Sequence, residues 1–421
     1  MVTTFTQAPA PVVALPADPR AELDVLLAED VVSAQARERS AFDGAAGERA
    51  GSIVLFGAGG LGQRTLAGLR LDGVEPLAFA DNNELRWGTV IEGLPVLSPA
   101  EAARRHGDSA VFVVTIWGAG STHRYADSEA QLHGLGADVV VPVAWLAWRH
   151  PERLLPFYAL NLPSKMAAHD GSIRRAYELL SDDESRRQYV DQVRWRLTGD
   201  PGCLSHPVTG PHYLVTDVAR PIDAEVVLDC GAYDGDTLQA WLTERGPTFA
   251  RYLALEPDPA NLAALERLVA SLPDAVGSRI VALPYAAAAR AGTAVFSAMG
   301  TASSALGNDG EGLTVTCAAI DDVLAEVGGP APTFVKMDIE GAELGALAGA
   351  SCLIRDHGPM LALATYHRQD HLWRVLLAAY SLRPDYSFFL RPHNEEGWDL
   401  VLYAVPPARV PVAATVPATG P

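Results

Sequence analysis

Between residues 51 and 148, short apolar runs alternate with segments whose apolar positions recur every three or four residues. The runs are SIVLF, PLAFA, AVFVVTI and DVVVPV. Such alternation predicts β/α units on a parallel sheet, since strands buried on both faces read as continuous apolar stretches. Upstream, Leu23, Leu26, Leu27 and Val31 fall at helical spacing, so a helix is expected to precede this first domain. From 150 to 203 the pattern is helical, with Arg-rich and acidic faces in RRAYELLSDDESRRQYVDQVRWRL and no strand candidate. A second β/α series follows, with VVLDC, RYLALE, RIVALPYA, TFVKMD and PMLALATY as five strand candidates. It closes on apolar strands at 386–390 and 400–405, read as an antiparallel hairpin. Both chain ends are rich in Pro, Ala, Thr and Val without periodicity, and disorder is expected there.

These patterns divide the chain into a disordered start (1–20), a Rossmann-like nucleotide-binding-like domain (21–148), a helical connector (149–205), a second doubly wound α/β domain (206–405) and a disordered tail (406–421). Composition narrows the chemistry. A net charge of −19 disfavours nucleic acid, whose affinity comes largely from Lys and Arg neutralising phosphates. No apolar run approaches the ~18–20 residues that span a bilayer, and no basic region leads an apolar core at the start, so a soluble cytoplasmic protein without a membrane span is expected. Cys203, Cys230, Cys317 and Cys352 lack CxxC spacing and suggest neither a disulfide framework nor a zinc site. The only lysines are Lys165 and Lys336; every other basic residue is arginine. An ammonium is a compact point charge that guanidinium cannot replace in a tight pocket, so both lysines draw attention.

Two glycine loops carry candidate chemistry. In VVLDCGAYDGDT, Asp229, Gly231 and Gly235 follow an apolar strand, and Ala232, Tyr233 and Asp234 complete the loop. Asp229, Asp234 and Asp236 would repel a pyrophosphate but attract a ligand bearing a sulfonium and an ammonium. Twenty-one residues after Gly235, RYLALE ends in Glu256, followed by Pro257 and Asp258. A carboxylate there can accept hydrogen bonds from both ribose hydroxyls of a nucleoside cofactor. TFVKMDIEGAEL then places Lys336, Asp338, Glu340 and Glu343 at a strand-to-helix junction, where side chains face the cleft at the carboxyl ends of parallel strands. Asp338 is expected to hold the cofactor or orient an acceptor hydroxyl. His367, ending the next strand, is the candidate general base, with Lys336 as its alternative. His367, Asp370, His371 and Asp338 could together hold a divalent metal, but no recognised ligand spacing is complete and no metal site is assigned.

Taken together, VVLDCGAYDGDT, LEPDP, FVKMDIEGAEL, YHRQDHLW and the closing LRPHNEEGWDLVLYA resemble the FkbM family of class I methyltransferases over roughly residues 180–406. The resemblance implies S-adenosylmethionine as cofactor, O-methylation of a sugar or natural-product hydroxyl, and cofactor roles for Asp229, Gly231, Glu256 and Asp258. A final antiparallel hairpin after parallel strands agrees with it, because dehydrogenase Rossmann domains usually end in parallel strands.

The first loop, IVLFGAGGLG, holds Gly57, Gly59 and Gly62 as GxGxxG after a strand, with Asp81 ending the next strand, the fingerprint of a dinucleotide site. The stretch through FADNNELRWGTVIEGLPVLSP also resembles the small Rossmann-like domain of sugar-modifying acyltransferases, which bind nucleotide sugars. A dinucleotide, a nucleotide sugar and no ligand at all remain open for it. Two further functions therefore stand beside methyl transfer: an NAD-dependent oxidoreductase or epimerase using the first loop, and a non-catalytic nucleotide-sugar-binding protein. The expected partner is a small-molecule or glycan acceptor, with a homo-oligomer left open.

Overall fold

The computed structural model describes residues 16–118, 124–208, 210–297, 305–307 and 313–411. Most of the expected disordered ends, 1–15 and 412–421, lie outside the described residues. Among the described residues the strands form three sheets.

The first sheet comprises β1 (Ile53–Phe56), β2 (Ala78–Ala80), β3 (Val90–Ile91), β4 (Leu94–Leu97), β5 (Val111–Val114) and β6 (Val139–Pro142), in the order β3-β4-β2-β1-β5-β6. Its pairings are parallel except for the β3–β4 hairpin. That hairpin, unexpected from the apolar pattern, turns through Glu92 and Gly93, both at positive φ. β1 and β5 are buried along their whole length, which is why they read as unbroken apolar runs.

The largest sheet comprises β7 (Val226–Cys230), β8 (Arg251–Leu255), β9 (Ile280–Leu283), β14 (Phe334–Met337), β15 (Met360–Ala364), β16 (Ser387–Pro392) and β17 (Leu400–Val405), ordered β16-β17-β15-β14-β7-β8-β9. β17 runs antiparallel between β15 and β16, and the other pairings are parallel. The order reverses between β7 and β14, and ligands of open α/β sheets bind at that switch point. A third sheet, β10 (Ala286–Ala288), β11 (Gly292–Ser297), β12 (Ala305–Gly307) and β13 (Leu313–Ala319), was not expected. Its strands are rich in Ala, Gly and Thr, and β13 alternates Leu313, Val315 and Cys317 with threonines.

Packing corrects two boundaries. The helix Pro19–Leu26 does not belong to the first domain: Leu23, Leu26 and Leu27 are buried in the same core as Leu228 of β7 and Val335 of β14. Buried Glu22 on that helix accepts from Arg187 and Arg194 of the helix Asp183–Thr198, and the paired guanidiniums compensate its desolvation. The helix Val31–Ala46 does face the first sheet, with Ala41, Phe42 and Ala46 in its core. The expected disordered tail likewise begins as ordered chain. Arg409, beyond β17, is buried against Glu225 at 2.6 Å and also donates to the Thr333 carbonyl. No described helix is long and apolar enough to cross a membrane.

Candidate active site

Short loops at the carboxyl ends of β7, β8, β14 and β15 meet in a cavity of about 1620 Å³. Of the residues expected at the site, Gly231, Tyr233, Glu256, Pro257, Lys336, Asp338 and His367 line it. Asp229, Ala232, Asp234, Gly235 and Asp258 are not among the lining residues.

The loop after β7 is held from beneath. Asp229 is fully buried; it accepts from Tyr252 Oη at 2.7 Å and lies 3.1 Å from the Lys336 ammonium. Lys336 also donates to the Gly231 carbonyl, so one ammonium joins β7, β14 and the turn between β7 and its helix. Burial opposes its charge, yet Asp229 and Asp338 hold its pKa above the ordinary lysine value. These carboxylates favour its charged form over the neutral amine a base requires. Gly231 sits at φ +79, and a Cβ there would lie 2.0 Å from the Asp338 carbonyl oxygen. The glycine thus admits the β14 loop rather than clearing room for a ligand.

At the end of β8, Glu256 accepts from the Tyr233 and Asp258 backbone N–H groups at 2.8 and 2.9 Å. These bonds fix the carboxylate on the cavity wall. Asp258 serves elsewhere, capping the helix Pro259–Ser271 through the N–H groups of Ala260 and Asn261. Asp236 and Asn261 line the same wall.

Beyond β14 the residues form a charged cluster. Asp338 accepts from the hydroxyls of Tyr213 and Tyr366 and lies 3.1 Å from His367 Nε2. Burial works against its charge, but His367, Lys336 and Tyr213 hold its carboxyl well below the usual range. His367 Nδ1 lies 2.8 Å from Glu343, whose other oxygen is 3.1 Å from His371. Burial opposes protonation of His367, but Glu343 and Asp338 raise its pKa well above the usual imidazole value. Both ring nitrogens face carboxylates, which favour the protonated ring over the free imidazole expected of a general base. Glu340, 3.7 Å from His367 Nε2, behaves in the opposite sense. Burial, reinforced by Asp338 and Glu343 and opposed by His367, pushes its pKa up to about 8.

The anticipated metal set is regrouped as well. Asp370 pairs with Arg374 at 2.6 Å, whereas Asp338, Glu343 and His367 offer ligand atoms within 4.8 Å of one another among the described residues. Tyr213 escaped the sequence reading because it comes from an aperiodic stretch between the connector and β7. Glu340 carried only an ambiguous signal, since an acid there also suits the start of a helix.

The first glycine loop is built differently. Asp81 accepts from the Ala58 and Asn83 N–H groups and pairs with Arg86 at 3.0 Å. A Cβ on Gly62 would lie 1.9 Å from the Gly57 carbonyl oxygen, so this glycine lets the helix Gly60–Leu71 pack onto its own loop. Gly57, Gly59, Gly62 and Asp81 do not line the large cavity, but Gly60, Leu61 and Arg64 of that helix do. Trp117, after β5, lines it too and donates through Nε1 to the Glu396 carbonyl at 3.0 Å, joining the two halves.

A seven-stranded sheet with its last strand inserted antiparallel, and an acid-lined cleft at its carboxyl edge, defines the class I methyltransferase fold. Residues 229–385 match the family model of the methyltransferase FkbM domain. A solved structure described as methyltransferase FkbM from Methylobacillus flagellatus KT matches at TM-score 0.71 with 26% identity, covering 92% of this chain and all of that one. Residues 229–385 thus resemble the FkbM methyltransferase domain, and the protein is a methyltransferase. A precorrin-6y C5,15-methyltransferase from Geobacter metallireducens aligns at TM-score 0.26 with 14% identity, over 44% of this chain and 80% of that one. An SAH-bound methyltransferase from Podospora anserina aligns at 0.25 with 11% identity, over 56% and 87%. Both scores are too low to bear on the architecture. No curated protein sequence matches the chain.

Proposed function

We propose that this methyltransferase uses S-adenosylmethionine to methylate a hydroxyl of a sugar or natural-product acceptor, with Glu340 as the base. The observation that carries the reading is one cavity lined by both Glu256, oriented by two backbone N–H groups, and Glu340, a carboxyl 3.7 Å from His367 whose pKa burial and the neighbouring Asp338 and Glu343 push up to about 8.

The residues fit the cofactor. Asp236, Glu256, Asp338 and Glu340 line the cavity, an environment that attracts a sulfonium and an ammonium and would repel the pyrophosphate of NAD. Glu256 keeps lone pairs for the ribose hydroxyls beyond its two backbone donors. Asp338, held ionised by its tyrosine and histidine partners, offers its anion to the ammonium of the cofactor's methionine end. When bound, S-adenosylmethionine supplies a methyl group poised for in-line displacement.

The chain's own task is to position the acceptor and to take its proton. An ordinary carboxylate is a weak base towards an alcohol, and the raised pKa of Glu340 makes its anion a stronger one at near-neutral pH. Protonated His367, braced at Nδ1 by Glu343, faces both Asp338 and the Glu340 anion from Nε2.

Titration calorimetry tests the cofactor assignment. S-adenosylhomocysteine should bind and NAD should not. Glu256→Ala should weaken S-adenosylhomocysteine by about 1–3 kcal/mol, the scale of a hydrogen bond to a charged group. An unchanged dissociation constant removes Glu256 from the cofactor site, and NAD binding in place of S-adenosylhomocysteine overturns the reading.

A further inference from the structure

Both lysines of the chain line the large cavity. Lys336 is committed to Asp229 and Gly231, whereas Lys165 is not committed at all. With Arg39, Arg64 and Arg368, it forms a set of four cations at the open rim. Among the described residues, none of the four makes an ion pair or donates a side-chain hydrogen bond. Exposed arginines elsewhere, such as Arg70, Arg153 and Arg374, each find a carboxylate, and these four stand out in lining one cavity together.

The four come from separate elements: the helices Val31–Ala46, Gly60–Leu71 and Pro163–Ala167, and the turn after β15. Like charges gathered from four elements repel one another unless an anion joins them. The nearby acids do not serve. Glu38 accepts from the Ser164 N–H and hydroxyl, and Asp370 pairs with Arg374. Arg64 is steadied by Phe157, its guanidinium 5.3 Å from the ring centre. Gly60 and Leu61, in the first turn of a twelve-residue helix whose N-cap Gly59 makes no side-chain cap, open onto the same space.

We propose that this rim binds a phosphate group carried by the methyl acceptor, so that the substrate is a phosphorylated or nucleotide-linked hydroxyl compound. The inference rests on the methyltransferase reading of the cavity and names its substrate class. A phosphate offers several oxygens to guanidinium forks and ammonium at once, and helix first-turn amides favour it. The first glycine-loop helix then serves the acceptor instead of a second cofactor.

Calorimetry on the full chain with inorganic pyrophosphate, with and without saturating S-adenosylhomocysteine, tests this. Pyrophosphate should bind more tightly than citrate, and the affinity should fall as salt is raised. Arg64→Gln and Lys165→Gln, on different elements and both exposed, should each weaken it about tenfold or more while leaving the S-adenosylhomocysteine constant within about twofold. UDP binding more tightly than pyrophosphate supports a nucleotide-linked acceptor; equal binding supports one read through its phosphate alone. Absent pyrophosphate binding, citrate binding as tightly, or unchanged affinity in both variants overturns the proposal. Failure of S-adenosylhomocysteine to bind while pyrophosphate behaves as expected would instead sink the cofactor assignment and leave the anion rim standing.

Discussion

The division of labour between His367 and Glu340 is decided by charge balance within a few ångströms. His367 lies among three carboxylates, two of them at hydrogen-bonding distance, so its proton is held tightly. Glu340, half-buried beside Asp338 and Glu343, is the acid whose pKa is pushed up. If Glu340 is the base, the rate should rise with pH and level off above about 8, because only the ionised carboxylate accepts a proton. Glu340→Gln should lower kcat by roughly 10²–10⁴-fold and abolish that limb, with cofactor affinity little changed. A limb near pH 6–7 that survives the substitution would return the role to an imidazole. The same shift has a sign for stability. A carboxyl whose folded pKa exceeds its unfolded value stabilises at low pH and loses that contribution as pH rises from about 4.5 through 8. Glu340→Gln should therefore melt higher relative to the parent at pH 9 than at pH 5.

At the scale of elements, the strands buried on both faces were legible because they are almost continuously apolar, with Asp229 and Lys336 as the charged exceptions. SIVLF, VVLDC, TFVKMD and PMLALATY all contain strands of the two larger sheets. The third sheet was not read from the sequence: β10 and β12 are short and rich in Ala and Gly, and β13, though it alternates apolar residues with Thr from Leu313 to Cys317, lacks such a partner pattern in them. Nor was the helix Pro19–Leu26 placed correctly. Helical spacing shows that Leu23 and Leu26 need a core but not which one, and Arg187 and Arg194, over 160 residues later, decide it through Glu22. Of the site, loop residues adjacent in sequence were readable, whereas Tyr213 and the charge state of His367 depend on groups from separate elements. The loops also show what their glycines do. Gly231→Ala should lower stability by at least about 1–3 kcal/mol and abolish S-adenosylhomocysteine binding, because the new methyl meets the Asp338 carbonyl at 2.0 Å and drives the β7 and β14 loops apart. Gly59→Ala, with open space around it at negative φ, should leave both unchanged. Equal damage from the two changes in thermal melting would contradict this account.

Across the whole molecule, residues of the two halves line one cavity. Trp117, from the first half, packs on Trp195 and Trp398 with ring centres 5.5 and 4.9 Å apart, and Glu396 receives the Tyr125 N–H and the Trp117 indole N–H. That seam brings the helix Gly60–Leu71 to the rim while Asp236, Glu256, Asp338 and Glu340 stay with the seven-stranded sheet. The FkbM structure from Methylobacillus flagellatus KT aligns over 92% of the chain, so the amino-terminal sheet belongs to the shared architecture as well. The measurement that bears most directly on the central claim is a crystal structure of the full chain with S-adenosylhomocysteine. The account predicts the ribose hydroxyls on Glu256, the methionine ammonium near Asp338 and the sulfur facing Glu340 across the cavity. Cofactor density at the Gly57–Gly62 loop beside Asp81, or a sulfur pointing away from Glu340, would contradict it.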